Sequence, residues 1–191
     1  PDVFNCKEVA NKEKVITSVG RLTYQKGFDT LIKAYIEVFK IHPEYNLIIY
    51  GEGPLRKELM ELVYSNSMEK NIFLPGNCKN VVNSISKSMI FIMCSRFEGM
   101  PNALMEAMAI GLPCISTNCV AGPSEIIDNK KNGLLVEVDN IDEIKNAIIY
   151  LIEHDEIRES IAKKALDINK TNSIDLIYGK YYDFFKKCLE K

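Results

Sequence analysis

Two glutamates, Glu98 and Glu106, lie eight residues apart on either side of the predicted start of a helix. Glu98 falls in a loop that follows an apolar strand, and Glu106 falls inside the helix. A carboxylate can accept hydrogen bonds from two neighbouring hydroxyls, so the pair suits a ligand that is hydroxyl-rich at both ends. A solvated helix residue and an ordinary loop charge would produce the same spacing, and the pattern alone leaves that interpretation open.

The start of this helix predicts an anion site. Pro101 is a favoured residue of a first helical turn, and the next N–H groups, of Asn102, Ala103 and Leu104, would have no acceptor within the helix. Unpaired N–H groups and the helix dipole both favour negative charge at this end. Because a helix rises about 1.5 Å per residue, Glu106 would lie roughly 7 Å along the axis. A ligand with a central phosphate would therefore fit between the two carboxylates.

A second cluster brings two cations into one loop after a predicted strand. Residues 20–27 include Arg21 and Lys26, and Gly27 gives the backbone freedom to turn before the next helix. Arginine binds phosphate through a planar fork and lysine as a point charge, so the pair could hold a diphosphate. A solvated basic loop is the alternative interpretation. The loop is not a Walker A sequence, and no G-x-G-x-x-G follows the first strand, which argues against a dinucleotide-dependent dehydrogenase.

Predicted strands and helices alternate along the whole chain. Short apolar runs predict strands, and apolar residues at helical spacing predict helices between them. The strands are expected at 15–19, 46–50, 72–74, 89–93, 113–116 and 133–136, and the helices at 28–39, 55–63, 81–85, 101–110, 141–153, 157–168 and 173–189.

This alternation predicts an α/β fold in which a Rossmann-like parallel sheet of about six strands is flanked by helices. The uniformly apolar run 89–93 is typical of a central parallel strand that is covered on both faces. Such sheets bind ligands at the carboxyl ends of their strands. Two of the four arginines, Arg21 and Arg96, are expected at these strand ends.

The composition favours one soluble globular domain. The chain has 191 residues, of which 47% are hydrophobic and 26% charged, and its formal net charge is -2. This balance gives no basic field, so we expect no nucleic-acid partner. No apolar run reaches the roughly 20 residues of a membrane-spanning helix. The N-terminal residues show neither a signal-peptide pattern nor an initiator Met, so we expect the sequence to be part of a longer chain.

The cysteines favour free thiols in a cytosolic protein. Six cysteines are scattered without a C-x-x-C pair, and the chain has only two histidines. This pattern does not support a zinc site. Cys94 and Cys114 lie in or beside apolar strand-like runs, where reduced cysteine behaves as a small hydrophobic residue.

Together these motifs resemble the C-terminal, nucleotide-sugar-binding domain of a retaining glycosyltransferase of the GT-B fold, in family 4. The E-x7-E motif of that family is matched by Glu98 and Glu106, and its G-R-L…K-G motif by residues 20–22 and 26–27. Further stretches follow in family order: G-E-G-P at 51–54, F-L-P-G at 73–76, E-A-M-A and G-L-P within 106–113, and G-P-S-E at 122–125. The resemblance extends from Val15 to the last predicted helix.

The resemblance implies a role for each matched residue. Arg21 and Lys26 would bind the donor diphosphate and stabilise the charge that develops on it, and Glu98 would hold sugar hydroxyls, so these three are the predicted catalytic residues. Glu106 would accept hydrogen bonds from the ribose diol, the backbone of 99–104 would hold the distal phosphate and the sugar, and the loop 75–79 would contact the base. The predicted donor-binding residues are Gly20, Gly51, Gly53, Gly76, Asn77, Cys78, Lys79, Gly99, Met100, Pro101, Asn102, Ala103, Leu104 and Glu106.

The resemblance also implies a nucleotide-sugar as donor, with no metal ion or other cofactor. The sequence holds no Asp-x-Asp pair, and the two cations would take the electrostatic place of a metal. The G-P-S-E stretch after T-N-C looks like that of bacterial surface-glycan transferases that use UDP-sugars, so UDP is the expected nucleotide, with GDP and ADP as alternatives. A module that binds nucleotide-sugars without chemistry is the alternative to an enzyme.

The family's organisation implies three segments in this chain. Residues 1–14 would derive from an interdomain linker, 15–172 would form the donor-binding domain, and 173–191 would form a helix that crosses toward the N-terminal domain. That acceptor-binding domain would be the missing partner, so we expect the 191 residues alone to be inactive. The resemblance places the full-length protein in the cytoplasm, at the inner face of the membrane, where its N-terminal domain would meet a membrane acceptor for polysaccharide or glycolipid synthesis.

Overall fold

The computed structural model describes residues 12–120, 122–171 and Lys186, in which strands and helices alternate up to residue 153 and two further helices follow. The strands are β1 (Glu13–Val19), β2 (Asn46–Tyr50), β3 (Ile72–Gly76), β4 (Ser88–Met93), β5 (Cys114–Thr117) and β6 (Leu134–Val136). The helices are α1 (Phe28–Phe39), α2 (Arg56–Ser65), α3 (Val81–Ile85), α4 (Asn102–Ala109), α5 (Pro123–Ile126), α6 (Ile141–Glu153), α7 (Asp155–Ala165) and α8 (Ile168–Thr171), and a 3₁₀ turn covers Tyr24–Lys26.

The six strands form one parallel sheet in the order β3-β2-β1-β4-β5-β6. This confirms the predicted Rossmann-like sheet of six strands. The chain runs outward from β1 to β3, returns to the centre at β4 and then runs outward on the other side. Its direction of travel therefore reverses between β1 and β4, and in such sheets the loops that leave the carboxyl ends at this switch point form a crevice for ligands.

Strand β4 shows why its sequence has no alternation. Ile90 and Ile92 pack into a cluster with α1 and α6, whereas Phe91 and Met93 pack into a second cluster with α4. All four side chains are buried, because helices cover the sheet on both faces. The central position predicted for the run 89–93 is therefore confirmed.

Several element bounds differ from the sequence-based expectation. Strand β1 begins two residues before the predicted position 15. The helix predicted at 157–168 begins at Asp155, where acidic residues suit the helix dipole, and ends at Ala165, before the separate turn of α8. The short helix α5 was not predicted. Most of the predicted linker, residues 1–14, lies outside the described residues. The predicted C-terminal helix at 173–191 lies almost wholly outside them as well.

Four cysteines in the described ranges, Cys78, Cys94, Cys114 and Cys119, are free thiols. Cys94 and Cys114 are buried among apolar side chains, as expected, and burial raises the pKa of both thiols well above their ordinary value. A search of the described residues finds no helix whose length and apolar content would suffice to cross a membrane.

Candidate functional site

The loop after β1 folds tightly against the end of β4. Gly27 has a φ of 61°, and its N–H donates to the carbonyl of Tyr24. A Cβ at this position would lie 2.1 Å from the carbonyl oxygen of Cys94, so only glycine fits here. This close approach brings the loop 20–27 beside the loop 95–101 at the switch point of the sheet.

Hydrogen bonds join these two loops directly. The N–H of Arg96 donates to the carbonyl of Gln25 at 2.7 Å, and the Gln25 side-chain amide donates to the carbonyl of Phe97 at 2.9 Å. The Lys26 Nζ donates to Glu98 Oε1 at 2.5 Å. Two of the three predicted catalytic residues, Lys26 and Glu98, are therefore in direct contact.

Glu98 is more buried than a loop carboxylate that faces solvent would be. Its exposure is 8%, and its Oε1 accepts hydrogen bonds from the Ser95 hydroxyl at 2.6 Å and from Lys26. Both hydrogen bonds go to the same oxygen. The interpretation of Glu98 as an ordinary solvated loop charge is therefore wrong, whereas the predicted binding of a diphosphate by Lys26 stays a prediction. In the structure Lys26 and Glu98 neutralise each other.

Arg96 has a different environment from the one that its strand-end position suggested. Its guanidinium donates to Asp29 and Asp139, both at 2.9 Å, and to the carbonyl of Tyr24, whose ring lies 4.1 Å away. Burial lowers the pKa of Arg96, but the hydrogen bonds that it donates to Asp29 and Asp139, together with the attraction of their charges, outweigh burial and raise the pKa overall. Arg96 therefore connects three loops and is not available to a ligand.

The start of α4 offers two unpaired amides where three were predicted. Pro101 is the residue before the helix, not its first residue, and the N–H of Asn102 donates to the carbonyl of Met100 at 3.0 Å. The N–H groups of Ala103 and Leu104 have no acceptor among the described residues. None of the side chains that the structure describes caps this end, so the helix dipole still favours an anion here.

Glu106 differs from Glu98 in having no partner in the described part of the chain. It is half-buried, and within the described ranges its carboxylate makes no hydrogen bond or ion pair. Burial raises the pKa of Glu106 above its usual value. A partly desolvated carboxylate without a donor is unfavourable in the empty protein, and hydroxyl donors from a ligand would relieve this.

A cleft of about 500 Å³ opens at the ends of β1, β2 and β3. Its lining includes Arg21, which is exposed and whose side chain bonds to none of the described residues. Gly51 has a φ of 144°, and a Cβ there would lie 1.9 Å from the carbonyl oxygen of Gly20, so the β1 and β2 ends meet only because glycine lacks a side chain. The cleft is lined by Val19, Gly20, Arg21, Tyr50, Gly51, Glu52, Gly53, Asn77, Cys78 and Val81.

Six of the predicted site residues share this cleft: Gly20, Arg21, Gly51, Gly53, Asn77 and Cys78. Sequence reasoning missed Val19, Tyr50, Glu52 and Val81, although Val19 and Tyr50 end strands β1 and β2 and their position was a usable signal. Gly76 and Lys79 do not line it: Gly76 packs beside the Glu52 carboxylate, and Lys79 is exposed in the next loop.

The cleft and the Lys26–Glu98 pair are adjacent. A Cβ at Gly20, in the cleft wall, would lie 3.2 Å from Lys26 Cδ, so the lysine stem passes directly over this glycine. Gly99 and Met100 are exposed in the loop between Glu98 and α4. Along one edge of the sheet, the loops from β1 and β4 therefore present the paired Lys26 and Glu98, the start of α4, and Arg21, for which the described residues supply no partner.

No group of three or more His, Cys, Asp or Glu side chains that could hold a metal ion occurs among the residues for which the structure gives positions. Independence of metal remains a prediction.

Comparisons with known proteins agree with this geometry. The fold matches GT-B glycosyltransferase structures: the crystal structure of a Staphylococcus aureus TarM mutant in complex with fondaparinux, α-GlcNAc-glycerol and UDP superposes with a TM-score of 0.90 at 26% identity, over 96% of this chain and 37% of TarM. Residues 3–167 match the family model of glycosyl transferases group 1. The chain belongs to this family.

Two bacterial relatives illustrate the similarity in sequence. An uncharacterized glycosyltransferase of Haemophilus influenzae is 32% identical over 170 residues, which are 89% of this chain and 48% of the relative. The N-acetylgalactosamine-N,N'-diacetylbacillosaminyl-diphospho-undecaprenol 4-alpha-N-acetylgalactosaminyltransferase of Campylobacter jejuni is 33% identical over 159 residues, 83% of this chain and 43% of the relative. The chain therefore spans about half the length of these relatives.

Proposed function

We propose that the chain is the donor-binding half of a retaining, family 4 glycosyltransferase that transfers a sugar from a UDP-sugar to an acceptor in polysaccharide or glycolipid synthesis. One observation carries the proposal: the elements that leave the sheet at its switch point carry an exposed arginine, Arg21, two helix amides and a half-buried carboxylate, Glu106, none of which has a partner among the described residues. These are the groups that a diphosphate and a diol require.

In the proposed complex, Arg21 and the amides of Ala103 and Leu104 bind the diphosphate, and Lys26 turns from Glu98 to the phosphate that leaves. Glu106 accepts hydrogen bonds from the ribose diol, and Glu98 binds hydroxyls of the donor sugar. The base occupies the cleft beside Asn77 and Cys78. Cations fixed next to the departing phosphate stabilise its developing charge without a metal ion.

The proposed reaction keeps the anomeric configuration. The acceptor oxygen bonds to the anomeric carbon on the face from which the diphosphate departs, and the leaving phosphate takes the acceptor proton. Transfer requires the acceptor to be held against the donor, and we propose that a second domain of the full-length protein does this. The 191 residues alone should bind donor and transfer nothing, and turnover by this chain would contradict the half-enzyme proposal. We place the full-length protein in the cytoplasm, at a membrane that carries its acceptor.

Isothermal titration with UDP, with and without EDTA, tests the proposal. We expect weak, EDTA-insensitive binding to the wild-type chain and weaker binding of GDP and ADP. Glu106→Gln should reduce UDP affinity about tenfold or more, because a charged hydrogen-bonded contact contributes roughly 1.5–3 kcal/mol. Glu98→Gln should not weaken UDP binding, because Lys26 then has no ion pair to leave, but it should reduce the affinity for a UDP-sugar.

The exposed glutamate Glu159 in α7 provides a matched control, since Glu159→Gln removes the same charge where no ligand is proposed. Binding that requires Mg²⁺ would contradict the metal-free site. Equal losses of UDP affinity in the Glu98 and Glu106 variants would show that Glu98 does not contact the sugar.

A further inference from the structure

Ser95 is a buried polar residue to which the proposed function assigns no role. It follows the end of β4, has no exposed surface, and donates its hydroxyl to Glu98 Oε1 at 2.6 Å. Its own carbonyl accepts a hydrogen bond from the Thr117 hydroxyl at 2.5 Å, which fixes the loop to the end of β5. The hydrogen bond from Thr117 therefore fixes the backbone of Ser95, and the Ser95 hydroxyl donates to the Glu98 carboxylate.

The two carboxylate oxygens of Glu98 differ in their hydrogen-bond partners. Oε1 accepts from both Ser95 and Lys26, whereas no described residue donates to Oε2. Two donors on one oxygen restrict rotation of the carboxylate, because turning it would break both hydrogen bonds. Oε2 is then the oxygen that remains for hydroxyls of a bound sugar.

The two donors to Oε1 differ in what a diphosphate would do to them. Lys26 has a side-chain exposure of 22% and lies beside the cleft, so a diphosphate can compete with Glu98 for its charge. Ser95 is sealed from solvent and cannot turn to a ligand. Of the two hydrogen bonds to Oε1, the one from the Ser95 hydroxyl remains once Lys26 leaves, and it still orients Glu98.

We propose that Ser95 is a positioning residue that keeps Glu98 directed at the donor sugar after Lys26 has moved to the diphosphate. This inference rests on the proposed function, because it assumes that Glu98 binds the sugar. It predicts a defect in the recognition of UDP-sugar but not of UDP, which a role in folding alone would not produce.

The test compares affinities for UDP with affinities for UDP-GlcNAc, UDP-GalNAc and UDP-glucose, using the donor that shows the largest gain over UDP with the wild-type chain. Ser95→Ala should keep UDP affinity within about twofold and should lose most of the gain that the sugar provides, about fivefold to tenfold. The double variant Ser95→Ala/Glu98→Gln should lose no more than Glu98→Gln alone, because both changes disable the same contact.

Two further variants keep the test decisive. Ser116→Ala removes another fully buried hydroxyl, on β5, that bonds to the carbonyl of Thr117 and does not contact Glu98, and it should leave the sugar gain unchanged. Ser95→Cys keeps the volume but donates weakly, and should show an intermediate loss if Ser95→Ala proves too unstable to measure.

Specific outcomes separate the two proposals. A full sugar gain in Ser95→Ala or Ser95→Cys, or additive losses in the double variant, would overturn the role of Ser95 while leaving Glu98 as a sugar ligand. If no UDP-sugar gains over UDP, or if Glu98→Gln keeps the gain, the proposed role of Glu98 itself fails, and the inference about Ser95 fails with it.

Discussion

Arg21 and Arg96 leave the ends of neighbouring parallel strands, β1 and β4, yet their surroundings are opposite. Arg96 has a side-chain exposure of 10% and binds Asp29 and Asp139 together with the carbonyl of Tyr24. Arg21 is exposed in the wall of the cleft and has no side-chain partner in the described part of the chain. Arg96 therefore holds the loops together, whereas Arg21 stays exposed to a ligand in the cleft.

The same contrast separates the two glutamates of the E-x7-E pair. Glu98 is paired with Lys26 and Ser95, whereas Glu106 is half-buried and has no partner among the residues whose positions the structure gives. Groups whose charges are satisfied within the protein stabilise it without a ligand, whereas unsatisfied groups lower its stability and raise its affinity for a complementary ligand. The carboxyl ends of the strands therefore carry both groups that are already paired within the protein and groups whose partners a ligand would supply.

The largest expected effect comes from separating the two loops that carry these residues. Gly27→Ala would combine a left-handed φ of 61° with a Cβ placed 2.1 Å from the carbonyl oxygen of Cys94. The loop must move, and we expect a loss of about 3 kcal/mol in the free energy of unfolding, measured by urea denaturation. UDP affinity should fall as well, because Arg21 is carried by the same loop.

Gly99→Ala is the matched control for this change, since a Cβ at Gly99 would have no heavy atom within 4 Å and its φ is not in the left-handed region. It should shift stability by less than about 0.5 kcal/mol. Similar stability for the two variants would mean that the contact between the loops at Gly27 is not required for folding.

Substitution of Arg96 should lower stability, whereas substitution of Arg21 should lower UDP affinity. Arg96→Met leaves Asp29 and Asp139 without their cation, and because both are partly exposed to water we expect a loss of about 2 kcal/mol, or roughly 4–8 °C in Tm. Arg21→Met should leave Tm unchanged and weaken UDP binding about tenfold or more, because a charged contact to phosphate is removed. Thermal melting and UDP titration of both variants measure the two effects separately.

The opposite result for the two variants would exchange the roles assigned to Arg21 and Arg96. If Arg96→Met melts like the wild-type chain and loses UDP affinity, then Arg96 binds phosphate, and its contacts to the aspartates do not stabilise the fold. If Arg21→Met keeps full UDP affinity, the cleft is not the diphosphate site.

Local sequence patterns predicted most of the fold but not the pairing of charges. The order of strands and helices follows from apolar runs such as 89–93, and the tight turn at Gly27 follows from its residue type. Lys26 and Glu98 are 72 residues apart, and no pattern along the chain shows that they meet. For the same reason the sequence could not distinguish Arg96 from Arg21, since the partners of Arg96, Asp29 and Asp139, are brought to it by other elements.

The start of α4 shows a second kind of limit. The three N–H groups at 102–104 were predicted to be unpaired from helix geometry alone. The backbone at Pro101, with φ of −83° and ψ of 66°, turns so that Asn102 donates to Met100, and one donor is removed. Such a local turn depends on the neighbouring packing, here of Gly122, where a Cβ would lie 2.9 Å from Pro101 Cδ.

The smallest expected effect concerns Glu106 and has an unusual sign. Burial raises the pKa of this carboxyl in the folded protein above its value in the unfolded chain, so the folded state binds the proton more strongly. Stability therefore falls as the pH rises through the folded pKa, and the charged group is unfavourable at neutral pH. Glu106→Gln removes that charge, and we expect a small increase in Tm at pH 7, about 1 °C.

The increase in Tm for Glu106→Gln should disappear as the pH falls to about 3, well below the unfolded pKa of roughly 4.3, where the wild-type carboxyl is itself neutral in both states. Glu159→Gln, at an exposed position in α7, should show no such dependence on pH. The same Glu106 variant that gains stability should lose affinity for UDP, so that one substitution moves the two quantities in opposite directions. A variant that is less stable than the wild-type chain at pH 7 would show that Glu106, like Glu98, has a favourable partner within the protein.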